Sequence, residues 1–87
     1  MQVKQYLTKP SQVEAVLVEA IWFPNIAIWC NGTVSEYYLK DELVKCIEYR
    51  RHGETMIAKV NDYIVKDSDG QFLTVSDELF RYNYTEV

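Results

Sequence analysis

The stretch VNDYIVKDSDGQFLTVSDELF, residues 60–80, holds the clearest structural signals in this 87-residue chain. Residues 62–66 and 71–75 are rich in aromatic and β-branched side chains, which is typical of β-strands. Between them, residues 67–70 (DSDG) predict a type I turn that ends with Gly70 in the left-handed region. The whole segment is therefore predicted to form a β-hairpin with a G1-type bulge.

A short helix is predicted directly after this hairpin, over residues 76–81. Ser76 is a good N-cap, and carboxylates at Asp77 and Glu78 would interact favourably with the helix dipole. The helix must be brief, because residues 82–87 alternate again and predict a last strand that closes the sheet.

Length and composition limit the architecture. A chain of 87 residues supplies one hydrophobic core, so one domain is predicted over residues 1–87. Its content of 48% hydrophobic and 25% charged residues is typical of a globular protein. The sequence predicts neither a signal peptide nor a membrane span, so we expect the protein to remain in a reducing cytoplasm.

The net charge of −4 is concentrated near the C-terminus. Residues 1–60 contain seven basic and seven acidic side chains, whereas residues 61–87 contain two basic and six acidic ones. An acidic surface repels phosphate, so direct nucleic-acid binding is not expected. Such a surface suits a basic protein partner, while a simple solvated surface is the alternative.

The N-terminal part predicts mainly strand. Residues 3–8 predict a first strand, and residues 13–23 predict a central strand that is apolar on both faces, with a bend near Glu19. Residues 24–31 fit either a short helix closed by Gly32 or a further piece of strand, because the run is too short for its periodicity to decide.

The middle of the chain leaves two alternatives open. Residues 33–51 fit either a helix capped by Ser35 or two strands, 33–39 and 43–51, joined by a turn at residues 40–42. We favour a strand over residues 44–51, preceded by an irregular or helical segment.

A second hairpin is predicted immediately after that strand. Residues 52–55 predict a turn, and residues 56–60 are expected to pair back on the strand at 44–51. Arg50 and Arg51 form a basic cluster with Lys45 and Lys59, which could either contact phosphate or pair within the protein. We favour internal pairing with Glu48 and Glu54.

Residues that could support catalysis or bind a metal are scarce. His52 is the only histidine, and it lies in a predicted exposed turn. Cys30 and Cys46 are too few and too widely spaced for a zinc site, and we expect both to be buried free thiols. The acidic turn at residues 67–70 lacks the glycine of an EF-hand, since Phe72 takes that place. We therefore expect no catalytic site, no metal and no cofactor, and hence no enzyme.

Short motifs stand at both ends of the chain: KPSQVEAV (9–16), DYIVK (62–66), GQF (70–72), DELF (77–80) and YTE (84–86). With these motifs the chain resembles a family of small, largely uncharacterised phage and prophage proteins. The resemblance implies a phage or prophage origin, and hence the cytoplasm of a bacterial host, together with a compact α+β fold, and it implies no activity. Residues 24–58 match the family poorly, and Val60-Asn61 replaces its usual Pro-Gly.

These observations predict an α+β fold with a small, mainly antiparallel curled sheet around one core and one or two short helices. We expect a non-enzymatic phage protein that binds a host protein with a basic surface, such as a defence nuclease, in the manner of an anti-CRISPR. The alternative is an accessory module of phage assembly that self-associates. The residues predicted to contact the partner are Asp62, Asp67, Asp69, Asp77, Glu78, Tyr82, Tyr84 and Glu86.

Overall fold

The computed structural model describes residues 1–7 and 12–86 and gives an α+β fold. Strands dominate, with two short α-helices and one 3₁₀ turn in the described residues. The class predicted from the sequence is therefore confirmed. In chain order the elements are β1 (Lys4–Leu7), β2 (Gln12–Leu17), the 3₁₀ turn (Ala20–Trp22), α1 (Phe23–Trp29), β3 (Thr33–Leu39), β4 (Glu42–Arg51), β5 (Glu54–Ala58), β6 (Tyr63–Lys66), β7 (Phe72–Val75), α2 (Asp77–Asn83) and β8 (Thr85–Glu86).

The strands form two antiparallel sheets instead of the single curled sheet expected. Sheet A has the order β7-β6-β2-β1-β8, and sheet B has the order β3-β4-β5. In sheet A, α2 connects β7 at one edge to β8 at the other. In both sheets, consecutive strands joined by short loops pair as hairpins, which keeps most strand contacts local.

Strand β2 is buried on both faces, as its apolar pattern predicts. Val13 and Ala15 pack with Phe80 of α2 on one face of sheet A. Val16 and the following Val18 pack on the other face, against α1 and sheet B. Sheet A is thus the middle layer, and it separates two hydrophobic clusters where one core was expected.

The central strand is shorter than the predicted 13–23, because the chain bends close to Glu19. Val18 leaves the regular ladder and instead donates its N–H to the Asp62 carbonyl and accepts from the Asn61 N–H. The 3₁₀ turn then redirects the chain into α1. The bend predicted near Glu19 is confirmed, and the residues after it belong to helix.

Helix α1 settles the ambiguity of residues 24–31 in favour of the helix. It ends in a Schellman motif, with the Gly32 N–H donating to the Ala27 carbonyl at 2.7 Å. Asn31, and not Gly32, takes the left-handed conformation, with φ of 56°. Gly32 is needed for a different reason, since a Cβ there would lie 2.5 Å from the Glu48 carbonyl oxygen.

The irregular or helical segment favoured before residue 44 is wrong. Residues 33–51 form the hairpin of β3 and β4, which is the alternative with two strands. Its two-residue loop consists of Lys40 and Asp41, both with positive φ (51° and 65°). Such type I′ loops usually contain Asn or Gly, so this loop has no sequence signature.

The later predictions hold with adjusted boundaries. Strand β5 pairs with β4, although it covers Glu54–Ala58 where residues 56–60 were expected. The turn at 67–70 is closed by the Gly70 N–H on the Asp67 carbonyl, and Gly70 has φ of 78°. Helix α2 is longer than predicted, which leaves a last strand of only Thr85–Glu86. Thr8 and Val87, the predicted ends of the first and last strands, lie outside the described residues.

The two sheets are joined by polar as well as apolar contacts. The buried Tyr49 of sheet B shares a hydrogen bond of 2.6 Å with Thr74 of sheet A. Arg51 donates to the Phe72 carbonyl and to the Asp67 carboxylate. Arg51 therefore does not pair with Glu48 or Glu54 as expected. Arg50 instead bonds Thr55 and the Gly53 carbonyl.

The burial of Phe80 leads to a first prediction. Replacing Phe80 with Ala is expected to lower the free energy of unfolding by about 3–5 kcal/mol, because it leaves a cavity between α2 and sheet A. Urea denaturation monitored by circular dichroism measures the change. Leu79→Ala, at the neighbouring exposed position of the same helix, is the control and should cost less than about 1 kcal/mol. Equal losses for the two variants would contradict the packing described.

Candidate functional site

Helix α2 presents one side to sheet A and the opposite side to solvent. Ser76 caps it by accepting the Leu79 N–H, as predicted, at 3.4 Å. Phe80 is buried, so Glu78 and Tyr82, which are one turn apart, point away from the sheet. Tyr82 is 89% exposed, and Leu79 beside it is also exposed. Glu78, Leu79 and Tyr82 are called the α2 patch below.

The inward side of α2 is an aromatic cluster. The Phe80 ring stacks between Tyr63, at 3.8 Å between centroids, and Tyr84, at 4.6 Å. Tyr6 meets the same ring edge-on at 4.7 Å. Burial raises the pKa of both Tyr6 and Tyr84. Tyr84 was predicted to contact a partner, but its ring packs within this cluster. Of the two tyrosines predicted to contact a partner, Tyr82 is the exposed one.

Two of the predicted acidic residues form ion pairs within the molecule. Asp77 pairs with Arg81 one turn later in α2, at 3.1 Å. Glu86 of β8 pairs with Lys4 of β1, at 2.9 Å. Both pairs are solvent-exposed, so each contributes little to stability and partly cancels the field of its own carboxylate.

Asp62 stabilises the turn before β6. Its side chain is buried, and it accepts hydrogen bonds from the backbone N–H of Lys59 at 3.0 Å and from the Lys59 ammonium at 3.3 Å. These bonds close the tight turn that leads into β6, in which Asn61 has φ of 77°. Asp62 therefore cannot belong to a contact surface, although the sequence analysis placed it there.

Asp67 stabilises the β6–β7 turn. Its carboxylate accepts the backbone N–H groups of Asp69 and Gln71, both at 3.0 Å, and it pairs with Arg51 at 3.3 Å. Partial burial alone would raise the pKa of the Asp67 carboxyl. The hydrogen bonds and the guanidinium outweigh this effect and hold that pKa below its usual range.

The predicted residues do not form one continuous acidic surface. Asp69 is exposed at the tip of the β6–β7 turn, at the opposite end of β7 from α2. Five mainly extended residues lie between Gly70 and Ser76, and six steps of about 3.3 Å place these two residues roughly 20 Å apart. In the described part of the chain neither Asp69 nor Glu78 has a cation within ion-pair distance. Of the eight predicted residues, Glu78 and Tyr82 alone are exposed side by side.

The structure reveals a second surface that sequence reasoning missed. The β3–β4 hairpin carries exposed apolar side chains, including Tyr38, which is 75% exposed, with Leu39 and Leu43. An apolar hollow of about 510 Å³ lies beside it, lined by Ile21, Pro24, Val34 and Val60 among others. The apolar side chains of residues 33–43 could have indicated this surface in the sequence. The hairpin that exposes them was not the favoured alternative, because its loop contains neither Asn nor Gly.

The residues with catalytic potential are two buried cysteines and one exposed histidine. Cys30 and Cys46 are buried free thiols, as predicted, and burial raises the pKa of both. His52 is exposed in the β4–β5 loop with φ of 50°. Among residues 1–7 and 12–86, no three His, Cys, Asp or Glu side chains converge to hold a metal ion. No helix in those residues is long and apolar enough to cross a membrane.

Comparison with known proteins assigns no family. No protein-family model, no curated protein and no solved structure matches this chain significantly. The resemblance to small phage proteins therefore stays a prediction, and the function must be inferred from the surfaces of the molecule.

The position of Asp67 leads to a pH-dependent prediction. Its carboxyl has a lower pKa in the folded than in the unfolded state, so its stabilising effect is present above the unfolded value of about 3.9. That effect is lost as the pH falls through the lower folded value. Asp67→Asn should therefore lower the free energy of unfolding by about 1 kcal/mol at pH 7 and by much less near pH 2.

Urea denaturation at the two pH values measures this difference. Asp69→Asn removes the same charge from the same turn and is the control, which should change stability little at either pH. A loss for Asp67→Asn that is equally large at pH 2 would exclude the charged hydrogen bonds as its cause.

Proposed function

We propose that this protein is a non-enzymatic binding protein that attaches through the α2 patch to a basic surface of another protein. The observation that carries the proposal is the exposure of Tyr82 beside Glu78 on a helix whose opposite side packs on sheet A through the buried, stacked Phe80. A large aromatic side chain on a rigid element loses little conformational entropy on binding, so tyrosine is common among the residues that dominate binding energies.

The distribution of charge supports a basic partner. The elements of residues 61–87 are β6, β7, α2 and β8, which belong to sheet A and its covering helix. These residues carry the full net charge of −4, whereas residues 1–60 sum to zero. The Asp77–Arg81 pair lies within these residues and is already counted. The Glu86–Lys4 pair brings one cation from β1, which Glu14 of β2 offsets, so sheet A and α2 together keep the net charge of −4. A layer with this charge would attract a basic surface and accelerate association.

A nucleic-acid-binding surface of a host defence nuclease is the partner that best fits this chemistry. Such surfaces are rich in Arg and Lys because they bind phosphates. The proposed role is then that of a phage or prophage protein that acts in the bacterial cytoplasm and competes with nucleic acid, as an anti-CRISPR does. The motifs shared with phage proteins at both ends of the chain support this origin.

The second candidate function is that of an accessory module of phage assembly. The observation that favours it is the apolar edge of sheet B at β3, which suits assembly from several copies. Sedimentation of the protein together with virions tests this role, and its absence from virions would exclude it.

The first candidate is tested by binding to proteins of a host lysate, followed by measurement with the purified partner. We expect the partner to be basic, the affinity to fall as salt rises, and duplex DNA or guide RNA to displace the protein. Tyr82→Ala should weaken binding by about 30-fold, as expected for a dominant aromatic anchor. Glu78→Lys should weaken binding most at low salt.

Tyr38→Ala is the matched control, because Tyr38 is also largely exposed but lies on sheet B. It should leave the affinity for the basic partner unchanged. A partner that binds both tyrosine variants as tightly as the wild type, or that is indifferent to salt, would refute binding through the α2 patch.

A further inference from the structure

Strand β3 is the open edge of sheet B. Among the described residues it pairs with β4 only, whereas β5 at the other edge lies against β7 of sheet A. The edge is seven residues long and has no proline, and its charged side chain, Glu36, lies at its centre. A long apolar edge of this kind tends to pair with another strand unless something covers it.

The loop of the hairpin determines which backbone groups face this open edge. Leu39 and Glu42 flank a two-residue loop, so they exchange both backbone hydrogen bonds, and bonded pairs alternate from there along the ladder. The odd-numbered residues of β3 therefore bond to β4. The N–H and carbonyl groups of Val34, Glu36 and Tyr38 point outward.

We propose that two copies of this chain associate through β3, in antiparallel pairing about a two-fold axis at Glu36. This register places Val34 opposite Tyr38 of the second copy and Glu36 opposite its own equivalent. All outward-facing groups are then used, which gives about six backbone hydrogen bonds. A shift of two residues would place Tyr38 opposite Gly32, or Val34 opposite Lys40, and both of these partners lie outside the strand. The shifted pairing would therefore lose about two backbone hydrogen bonds.

The side chains fit this register. Val34, Glu36 and Tyr38 lie on one face of sheet B, together with their β4 partners Ile47, Lys45 and Leu43. Pairing would place the exposed Tyr38 ring of each copy against Val34 of the other. Val34 also lines the apolar hollow, so each tyrosine would cover the rim of the hollow in the second copy.

The charges explain why a second copy is the expected occupant. In the joined sheet, Glu36 of each copy lies between the other Glu36 and its own cross-strand partner, Lys45. This row has two positive and two negative charges, so the repulsion between the glutamates is offset. Residues 24–60, which contain α1 and sheet B, carry five basic and five acidic side chains. Two copies can therefore meet there without repulsion, whereas their acidic sheet A layers stay apart.

The contact uses a different surface from the α2 patch and does not depend on binding through that patch. It shows how copies of the chain would associate if the protein has the second candidate function. The dimer can form whether or not the protein takes part in phage assembly. The contact involves one strand of seven residues from each copy, which is far fewer than the roughly 20–30 residues a side of a standard specific interface. We therefore expect a reversible dimer with a micromolar dissociation constant.

Sedimentation equilibrium of the full chain over a range of concentrations tests the proposal. We expect a monomer–dimer equilibrium that Tyr38→Asp weakens by about 30-fold and that Glu36→Gln strengthens. Tyr82→Asp is the control for adding a charge at an exposed tyrosine, and it should leave the equilibrium unchanged. A chain that stays monomeric at millimolar concentration, or a dimer disrupted by Tyr82→Asp and not by Tyr38→Asp, would overturn the proposal.

The register is tested separately by disulfide cross-linking. Residue 36 is the one position of β3 that faces its own equivalent, with Cα atoms about 5.5 Å apart, a separation that a disulfide can span. Glu36→Cys should therefore give a covalent dimer under mild oxidation, while Glu78→Cys on α2 should stay monomeric. This result would not depend on the folding of the Tyr38 variant. Absence of the cross-link in Glu36→Cys, or equal cross-linking of both variants, would overturn the register.

Discussion

The burial of strand β2 on both faces is the constraint on which the rest of the structure depends. One face of sheet A needs α2, and the other needs α1 and sheet B, because apolar side chains project from both. An 87-residue chain has few elements to supply two covering layers. Short helices, tight hairpins and large buried aromatic rings such as Phe80 cover both faces of sheet A with few residues.

Because so few residues are available for covering layers, part of sheet B stays uncovered. Strand β4 has ten residues and is about 33 Å long, whereas the strands of sheet A have at most six. The end of the β3–β4 hairpin therefore extends past the layer that α1 and sheet A cover, and Tyr38 and Leu43 are exposed there. Apolar side chains are therefore exposed at this end of sheet B, whereas the net charge of −4 belongs to residues 61–87, which form β6, β7, α2 and β8.

Several acidic side chains that the sequence predicts to contact a partner instead stabilise the fold. Asp62 closes a tight turn, and Asp67 joins a second turn to Arg51 of sheet B. In a protein this small, each buried or partly buried carboxylate needs nearby donors, and turns offer the closest backbone N–H groups. Net charge therefore overstates how many acidic side chains a partner can reach.

The sequence by itself determined the elements whose signals are local: the DSDG turn with its flanking strands, the Ser76 cap, the two-sided burial of β2 and the bend near Glu19. These depend on turn chemistry, capping and short-range periodicity, which act within a few residues. The tertiary structure alone decided that there are two sheets, that Asp62 is buried, that Tyr84 stacks on Phe80 and that β3 forms an open edge. Each of these depends on contacts between distant segments. The β3–β4 hairpin belongs to the same group, because Lys40 and Asp41 adopt positive φ only when the paired strands compensate for the strain.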